Sequence, residues 1–293
     1  KMWYSAKIPF DHSVFIKASD DLKTIWSASR GETKKLIICD LDNTLWGGVV
    51  GDLGWQKIRL GGHDHIGEAF VDFQCKLKAL HNKGILLAIC SKNTSKIAID
   101  AIELNSEMIL KMKHFASSRI NWNDKATNIL EICTELNLGL NSAVFLDDSV
   151  SERERVKDAL PDIMVPEMPE DPRLYSEFIS ELTCFDKINI TDEDRQRNRM
   201  YQNKKEEIRV QKDMKFKSPE EWLISLNLKV VCEEFNQANK IRTVQLINKT
   251  NQMNLSTRRL TEAELEEWAS SKNNYLWTFR VSDKFGDSGL TGI

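Results

Sequence analysis

The chain of 293 residues has no apolar run approaching the roughly 20 residues that cross a bilayer, and no secretory leader, so neither a membrane span nor export is expected. Its six cysteines, Cys39, Cys75, Cys90, Cys133, Cys184 and Cys232, stand alone, without C-x-x-C spacing or dense pairing. That speaks against a disulfide framework and for reduced thiols in a cytoplasmic compartment. Structural zinc is equally poorly served, because His63-Asp64-His65 is the sole hint of a ligand cluster and reads as loop. Basic residues show no excess: 41 Lys and Arg stand against 44 Asp and Glu, interspersed, for a net charge of −3, so there is no nucleic-acid footprint. The length is enough to bury a substantial core, divided between two domains.

What the chain does contain is concentrated behind short apolar runs. Leu36-Ile37-Ile38-Cys39 reads as a doubly buried strand of a parallel sheet, and Asp40-Leu41-Asp42-Asn43-Thr44 follows at its carboxyl end, where parallel α/β sheets place their ligands. Two ionised carboxylates crowded together repel unless a cation or proton intervenes, and Mg²⁺ would relieve that repulsion while attracting phosphate. The first carboxylate can then act as a nucleophile towards phosphorus and the second as general acid and base. Taken alone, the D-x-D reads more readily as a strand-end turn than as a site. Three further stretches shift that balance. Ile85-Leu86-Leu87-Ala88-Ile89-Cys90 is a second apolar strand followed by Ser91-Lys92-Asn93, whose first hydroxyl could hold a phosphoryl oxygen. Lys125 opens a helical pattern through Ile129, Leu130 and Ile132, placing an ammonium where charge would build up. Ala143-Val144-Phe145-Leu146 is a third strand and ends in Asp147-Asp148-Ser149, adjacent acids that surface decoration explains poorly.

In this order, the four stretches resemble the motifs of the haloacid dehalogenase (HAD) superfamily. The resemblance implies Asp40 as nucleophile and Asp42 as acid/base, with Mg²⁺ held by Asp40, the Asp42 carbonyl, and one or both of Asp147 and Asp148. Longer stretches narrow it: Asp40 to Gly48 with its Trp-Gly-Gly extension, Ala88 to Asn93, Ile120 to Asn128, Phe145 to Asp148, Pro166 to Pro172, Thr191 to Arg195 and Thr250 to Arg259. Together they are similar to the FkbH-like branch over nearly the whole chain. Members of that branch take 1,3-bisphosphoglycerate, release both phosphates and load a D-glyceryl group as a thioester on the phosphopantetheine of an acyl carrier protein, feeding a polyketide synthase assembly line. Ser149 departs from the asparagine common in that branch, which leaves any contact of that side chain open. A Mg²⁺-dependent phosphatase of a small phosphate ester, a transferase of another acyl group such as lactyl, and a catalytically silent docking scaffold are the competing readings.

Acyl transfer suits a thiolate. Cys90, beside Lys92 at the catalytic end of its strand, is the candidate that the resemblance favours, with a small buried hydrophobe as the alternative. Strand alternation turns Cys39 away from the Asp40 side and sets Cys90 and Ser91 on opposite faces unless the strand has already turned. Thr44, Trp46, Ser91, Lys92, Asn93, Arg119 and Asn121 flank strand ends and are candidate substrate contacts.

The expected architecture is α/β: a HAD-type Rossmann-like parallel sheet with helices on both faces, followed by a partial acetyltransferase-like (GNAT-type) α+β domain. Residues 1–33 form a lead-in with one helix bearing Leu22, Ile25 and Trp26. Residues 34–187 form the catalytic domain, 188–217 a charged helical connector and 218–293 the second unit. The segment Gly47 to Gly62, rich in glycine, predicts a β-hairpin flap. There is no room for a large cap, so a carrier arm could enter. Because the chain opens without methionine and ends in what reads as the start of a strand, a piece of a longer polypeptide is expected.

Overall fold

The computed structural model describes residues 10–29, 33–186, 200, 201, 203, 207, 219–249 and 259–293. Most of the charged connector, the run Thr191 to Arg195, and residues 250–258 of the run ending at Arg259 lie outside the described residues. The first described helix, α1 (His12–Ser29), carries the expected Leu22, Ile25 and Trp26, each more than half exposed.

Four wholly parallel strands make the principal sheet: β1 (Leu36–Cys39), β2 (Leu86–Ser91), β3 (Phe115–Ile120) and β4 (Ala143–Leu146), in the order β3-β2-β1-β4. β1, β2 and β4 are buried along their whole lengths, as their unbroken apolar runs require when helices cover both faces. β3 was not legible as a strand, because Phe-Ala-Ser-Ser-Arg-Ile has too few apolar residues; it lies at one edge of the sheet and is only partly buried. Side-chain alternation divides the core into two layers. Ile37, Cys39, Leu87, Ile89, Val144 and Leu146 face one side, while Leu36, Ile38, Leu86, Ala88, Cys90 and Phe145 face the other.

α3 (His65–Asn82) covers the first face with Phe70, Phe73 and Leu77, at helical spacing. It begins at His65 because Asp64 caps it, accepting from the backbone N–H groups of Ile66 and Gly67. His63-Asp64-His65 is therefore a turn and cap. Gly67 is obligatory there: a Cβ would lie 2.4 Å from the Gly61 carbonyl oxygen. α4 (Ser95–Leu104) and α7 (Tyr175–Glu181) complete this layer, and α5 (Lys125–Glu135) and α6 (Val150–Ala159) form the opposite one.

The expected flap differs from the prediction. The segment after β1 folds as the single helical turn α2 (Val50–Leu53), closed by one isolated bridge between Gly47 and Arg59, not as a hairpin. Two strands would need continuous pairing, and Gly48 at φ 95° interrupts it; its N–H instead donates to Asn43 Oδ1 at 2.8 Å. Further along the chain come α8 (Pro219–Ser225), β5 (Lys229–Glu234), α9 (Lys240–Lys249), α10 (Glu262–Ala269), β6 (Trp277–Asp283) and β7 (Gly286–Gly292), whose strands form a second, antiparallel sheet ordered β5-β6-β7.

Candidate active site

Strand order alone places a site. The chain runs outward from β1 through β2 to β3, then returns to β4 on the other side of β1, so a switch point opens between the carboxyl ends of β1 and β4. The register aligns Cys39 with Leu146, which sets the next residues, Asp40 and Asp147, level with each other. Asp40 N–H donates to the Leu146 carbonyl at 2.9 Å and locks this level.

Lys125 enters from the first turn of α5. Its Nζ lies 2.6 Å from Asp147 Oδ2 and 3.3 Å from Asp40 Oδ1, and all three side chains are nine-tenths or more buried. Burial disfavours its charge, but Asp40 and Asp147 outweigh that cost and hold the ammonium above the usual lysine value. Asp40 Oδ1 has no hydrogen-bond donor among the described residues; the contact with Lys125 is ionic only. Asp148 completes the cluster: Asp40, Asp147 and Asp148 each offer an oxygen within 4.8 Å of the others. Burial and then Asp40 push both Asp147 and Asp148 upward in pKa, with Lys125 opposing. Three carboxylates against one ammonium leave two negative charges, which suits one hard divalent cation with oxygen ligands.

Asp42 is turned elsewhere. Its Oδ1 accepts from Trp46 Nε1 at 2.8 Å and Val50 N–H at 3.0 Å, and its Oδ2 accepts from Asn93 Nδ2 at 2.9 Å. Burial raises its pKa, the Val50 and Trp46 donors pull it down, and Asp40 raises it again, leaving it above the ordinary aspartate value. Its carboxylate does not join the Asp40, Asp147, Asp148 cluster.

The candidate substrate contacts separate into distinct roles. Trp46 is fully buried and, like Asn93, is bonded to Asp42. Thr44 hydroxyl accepts from the Asp148 N–H at 3.3 Å and lies 3.4 Å from Asp148 Oδ1, so it ties the β1 loop to the β4 loop. Ser91 ends β2, almost wholly buried. Lys92 pairs with Glu152 at 2.6 Å. Arg119 is drawn to the flank of the sheet by Glu131 and Glu135 on α5, at 2.8 and 2.9 Å, and Asn121 is paired with Asn128. Ser149 N-caps α6, accepting from Glu152 N–H at 3.4 Å.

Cys90 shares the face of Asp40, on the neighbouring strand, whereas Cys39 occupies the opposite face. The Cys90 thiol is fully buried and its Sγ lies 3.7 Å from the Lys125 carbonyl, as a donor. Burial pushes it up to about 12 against the pull of Lys125, so the thiol form prevails at neutral pH.

Two supporting residues escaped the sequence reading. Arg153, buried on α6, donates from Nη1 to the carbonyls of Asp147 and Asp148 at 2.7 and 2.9 Å and holds the acidic loop in shape. Gln74, fully buried on α3, donates to the Leu45 carbonyl and accepts from Ile109 and Leu110 N–H at 3.0 and 3.1 Å. The only signal for either is a polar residue interrupting a helix face.

Neither a protein-family model nor a curated protein matches the chain. Among solved structures it is similar to the N-terminal part of BF1531 from Bacteroides fragilis, which contains a phosphatase domain and is complexed with Mg, at 42% identity and a TM-score of 0.62. That match covers 64% of this chain and 50% of the other, so the chain spans half the length of its relative. The 3-deoxy-D-manno-octulosonate 8-phosphate phosphatase of Moraxella catarrhalis also matches, at 22% identity over 52% of this chain and 79% of that one, but with a TM-score of 0.30. The α/β core of this chain has the HAD-type Rossmann-like fold, as its parallel sheet and the match to BF1531 together show.

Proposed function

We propose that the chain is a Mg²⁺-dependent HAD phosphatase in which Asp40 is the nucleophile and Asp42 the general acid and base. The observation that carries this reading is the buried ammonium of Lys125 between Asp40 and Asp147, with Asp148 beside them, at the switch point of a parallel sheet. Asp40, Asp147 and Asp148 would hold the ion, which when bound supplies charge neutralisation for an incoming phosphoryl group. The Asp42 carboxyl protonates the leaving oxygen as Asp40 attacks phosphorus, then takes a proton from the water that cleaves the aspartyl-phosphate. Lys125 stabilises the charge on Asp40 and on the transferring group. BF1531, with a phosphatase domain complexed with Mg, supports this reading.

We further propose the narrower assignment that the motif resemblance favours: dephosphorylation of 1,3-bisphosphoglycerate with transfer of the D-glyceryl group to an acyl carrier protein, residues 34–187 being catalytic and 218–293 a partial acetyltransferase-like unit. A slight flap, one helical turn and one bridge, is compatible with entry of a phosphopantetheine arm. Because Cys90 is buried and protonated, the carrier thiol itself is the better acceptor: it attacks the acyl carbon and the acyl phosphate leaves as phosphate. The test is phosphate release from 1,3-bisphosphoglycerate with Mg²⁺ or EDTA, together with intact-mass analysis of a holo carrier protein. Mg²⁺-dependent release of the ester phosphate that is abolished by Asp40→Asn, with a glyceryl increment on the carrier that survives Cys90→Ala, is the expected result. Release without carrier loading leaves the plain phosphatase and removes the transferase. Release of the ester phosphate, as distinct from the acyl phosphate that the carrier thiol displaces, that persists in EDTA or in Asp40→Asn refutes both.

A further inference from the structure

Asp42 has three hydrogen-bond donors, and their identities restrict where a proton can sit. Trp46 Nε1 and Val50 N–H both point at Oδ1, at 2.8 and 3.0 Å, and neither group can accept a bond in return. Oδ1 therefore cannot be protonated without breaking one of them. Asn93 reaches Oδ2 at 2.9 Å, and its amide orientation is settled independently: its own Oδ1 accepts from Thr94 N–H at 2.9 Å, which turns Nδ2, a pure donor, towards Asp42. One lone pair of Oδ2 is left to carry the proton.

The donors are also immobile. Trp46 is 0% exposed within the core layer that contains Phe70 and Val50, and Asn93 is 4% exposed at the end of β2. A side chain so enclosed is poorly placed to meet substrate, although both residues sit among the strand-end positions where substrate contacts are expected. We infer that Asn93 and Trp46 are positioning residues that fix the carboxyl of Asp42 so that a single oxygen, Oδ2, exchanges the proton. This rests on the proposed role of Asp42. The proton balance is closed: Oδ2–H passes to the leaving oxygen as the Asp40–phosphorus bond forms, and a water proton returns to Oδ2 as that bond is hydrolysed.

Misaligning a general acid harms substrates in proportion to their need for a proton. The experiment compares kcat/KM, which reports only steps up to leaving-group departure, for 4-nitrophenyl phosphate and glycerol 3-phosphate in the full chain with Mg²⁺. General acid catalysis contributes about 10²–10⁴-fold. Asn93→Ala and Trp46→Phe are each expected to lower the alkyl rate about 10- to 100-fold, and to widen the aryl-to-alkyl ratio about tenfold or more over the wild type. Thermal melts accompany both variants, and Asn93→Ala, which removes no core volume comparable to the indole, stands if Trp46→Phe unfolds. Asp42→Asn serves as the reference. If it widens the ratio and the other two lower both rates equally, the positioning role is overturned while the acid role survives. If Asp42→Asn itself leaves the ratio unchanged, the acid role of Asp42 falls and the positioning inference with it.

Discussion

Replacing Lys125 by Met keeps the length of the side chain and removes the only cation paired with the carboxylates of Asp40 and Asp147 among the described residues. At an effective dielectric of about 20, contacts of 2.6 and 3.3 Å correspond to about 6 and about 5 kcal/mol of attraction. Desolvation of the ammonium cancels several kcal/mol of that, and breaking a buried pair by deleting one partner costs about 3–5 kcal/mol. The cluster opens on one side at the partly exposed Asp148, so a loss near 3 kcal/mol is expected, which for a domain of this size lowers Tm by about 6–12 °C. The sign of the pH dependence follows from the carboxyls. Without the ammonium, Asp147, already held up by burial and by Asp40, titrates higher still in the folded chain, well above the unfolded value of about 3.9, so the folded state binds the extra proton as pH falls. The variant should therefore recover relative to wild type between pH 8 and pH 5. Added Mg²⁺, binding only the native cluster, should narrow the same gap. The assay is thermal unfolding by circular dichroism at pH 8, 6.5 and 5, with EDTA and with Mg²⁺. Equal Tm values at pH 8 in EDTA, or a gap indifferent to pH and Mg²⁺, would refute the charge-compensation account of the cluster.

Three other outcomes are expected. Arg153→Met should weaken Mg²⁺ affinity about tenfold or more in a calorimetric titration, because the carbonyls of Asp147 and Asp148 lose the donor that shapes their loop. Gln74→Leu leaves the buried Leu45 carbonyl and the Ile109 and Leu110 N–H groups without their partner, and should cost about 2–4 kcal/mol in urea unfolding. His81, stacked edge-on against His114 at 5.4 Å, is held down to about 4 by burial, then by His114 and Lys78. A depressed imidazole means that the unfolded chain binds more protons between pH 6.5 and 4, so the wild type should lose stability across that window relative to His81→Gln, by about 1–2 kcal/mol once solvent screening of a partly exposed ring is allowed for. Parallel pH–stability curves for the two proteins would sink that assignment.

β1 and β4 were legible because burial on both faces demands unbroken apolar runs, and Leu36–Cys39 and Ala143–Leu146 begin and end where those runs do. β3 was not, since its residues are only partly buried and need no unbroken apolar run, whereas β4, at the opposite edge, is buried throughout. The flap misled for a related reason: glycines permit a hairpin without requiring one, and the tertiary position of Gly48 and Asn43 selected a helical turn. Site residues behave in the same way. Asp40, Lys125, Asp147 and Asp148 announce themselves in the sequence because charges directly after buried strands, or at the start of the helix between them, have few structural uses. Their convergence depends on β4 returning beside β1, which puts residues more than a hundred positions apart at one level.

From residue order alone come the strand-end carboxylates and the parallel α/β class, since both are local: a run of buried apolar residues, then charge. Which polar neighbours touch substrate and which touch one another is a matter of distance across chain segments, and local pattern holds no such distance. Trp46, Asn93 and Thr44 are bound to Asp42 and Asp148, Arg119 is drawn to the flank by α5, and Cys90 is sealed beneath Lys125. Only packing decided these, because the position of each side chain depends on which helix covers which face of the sheet.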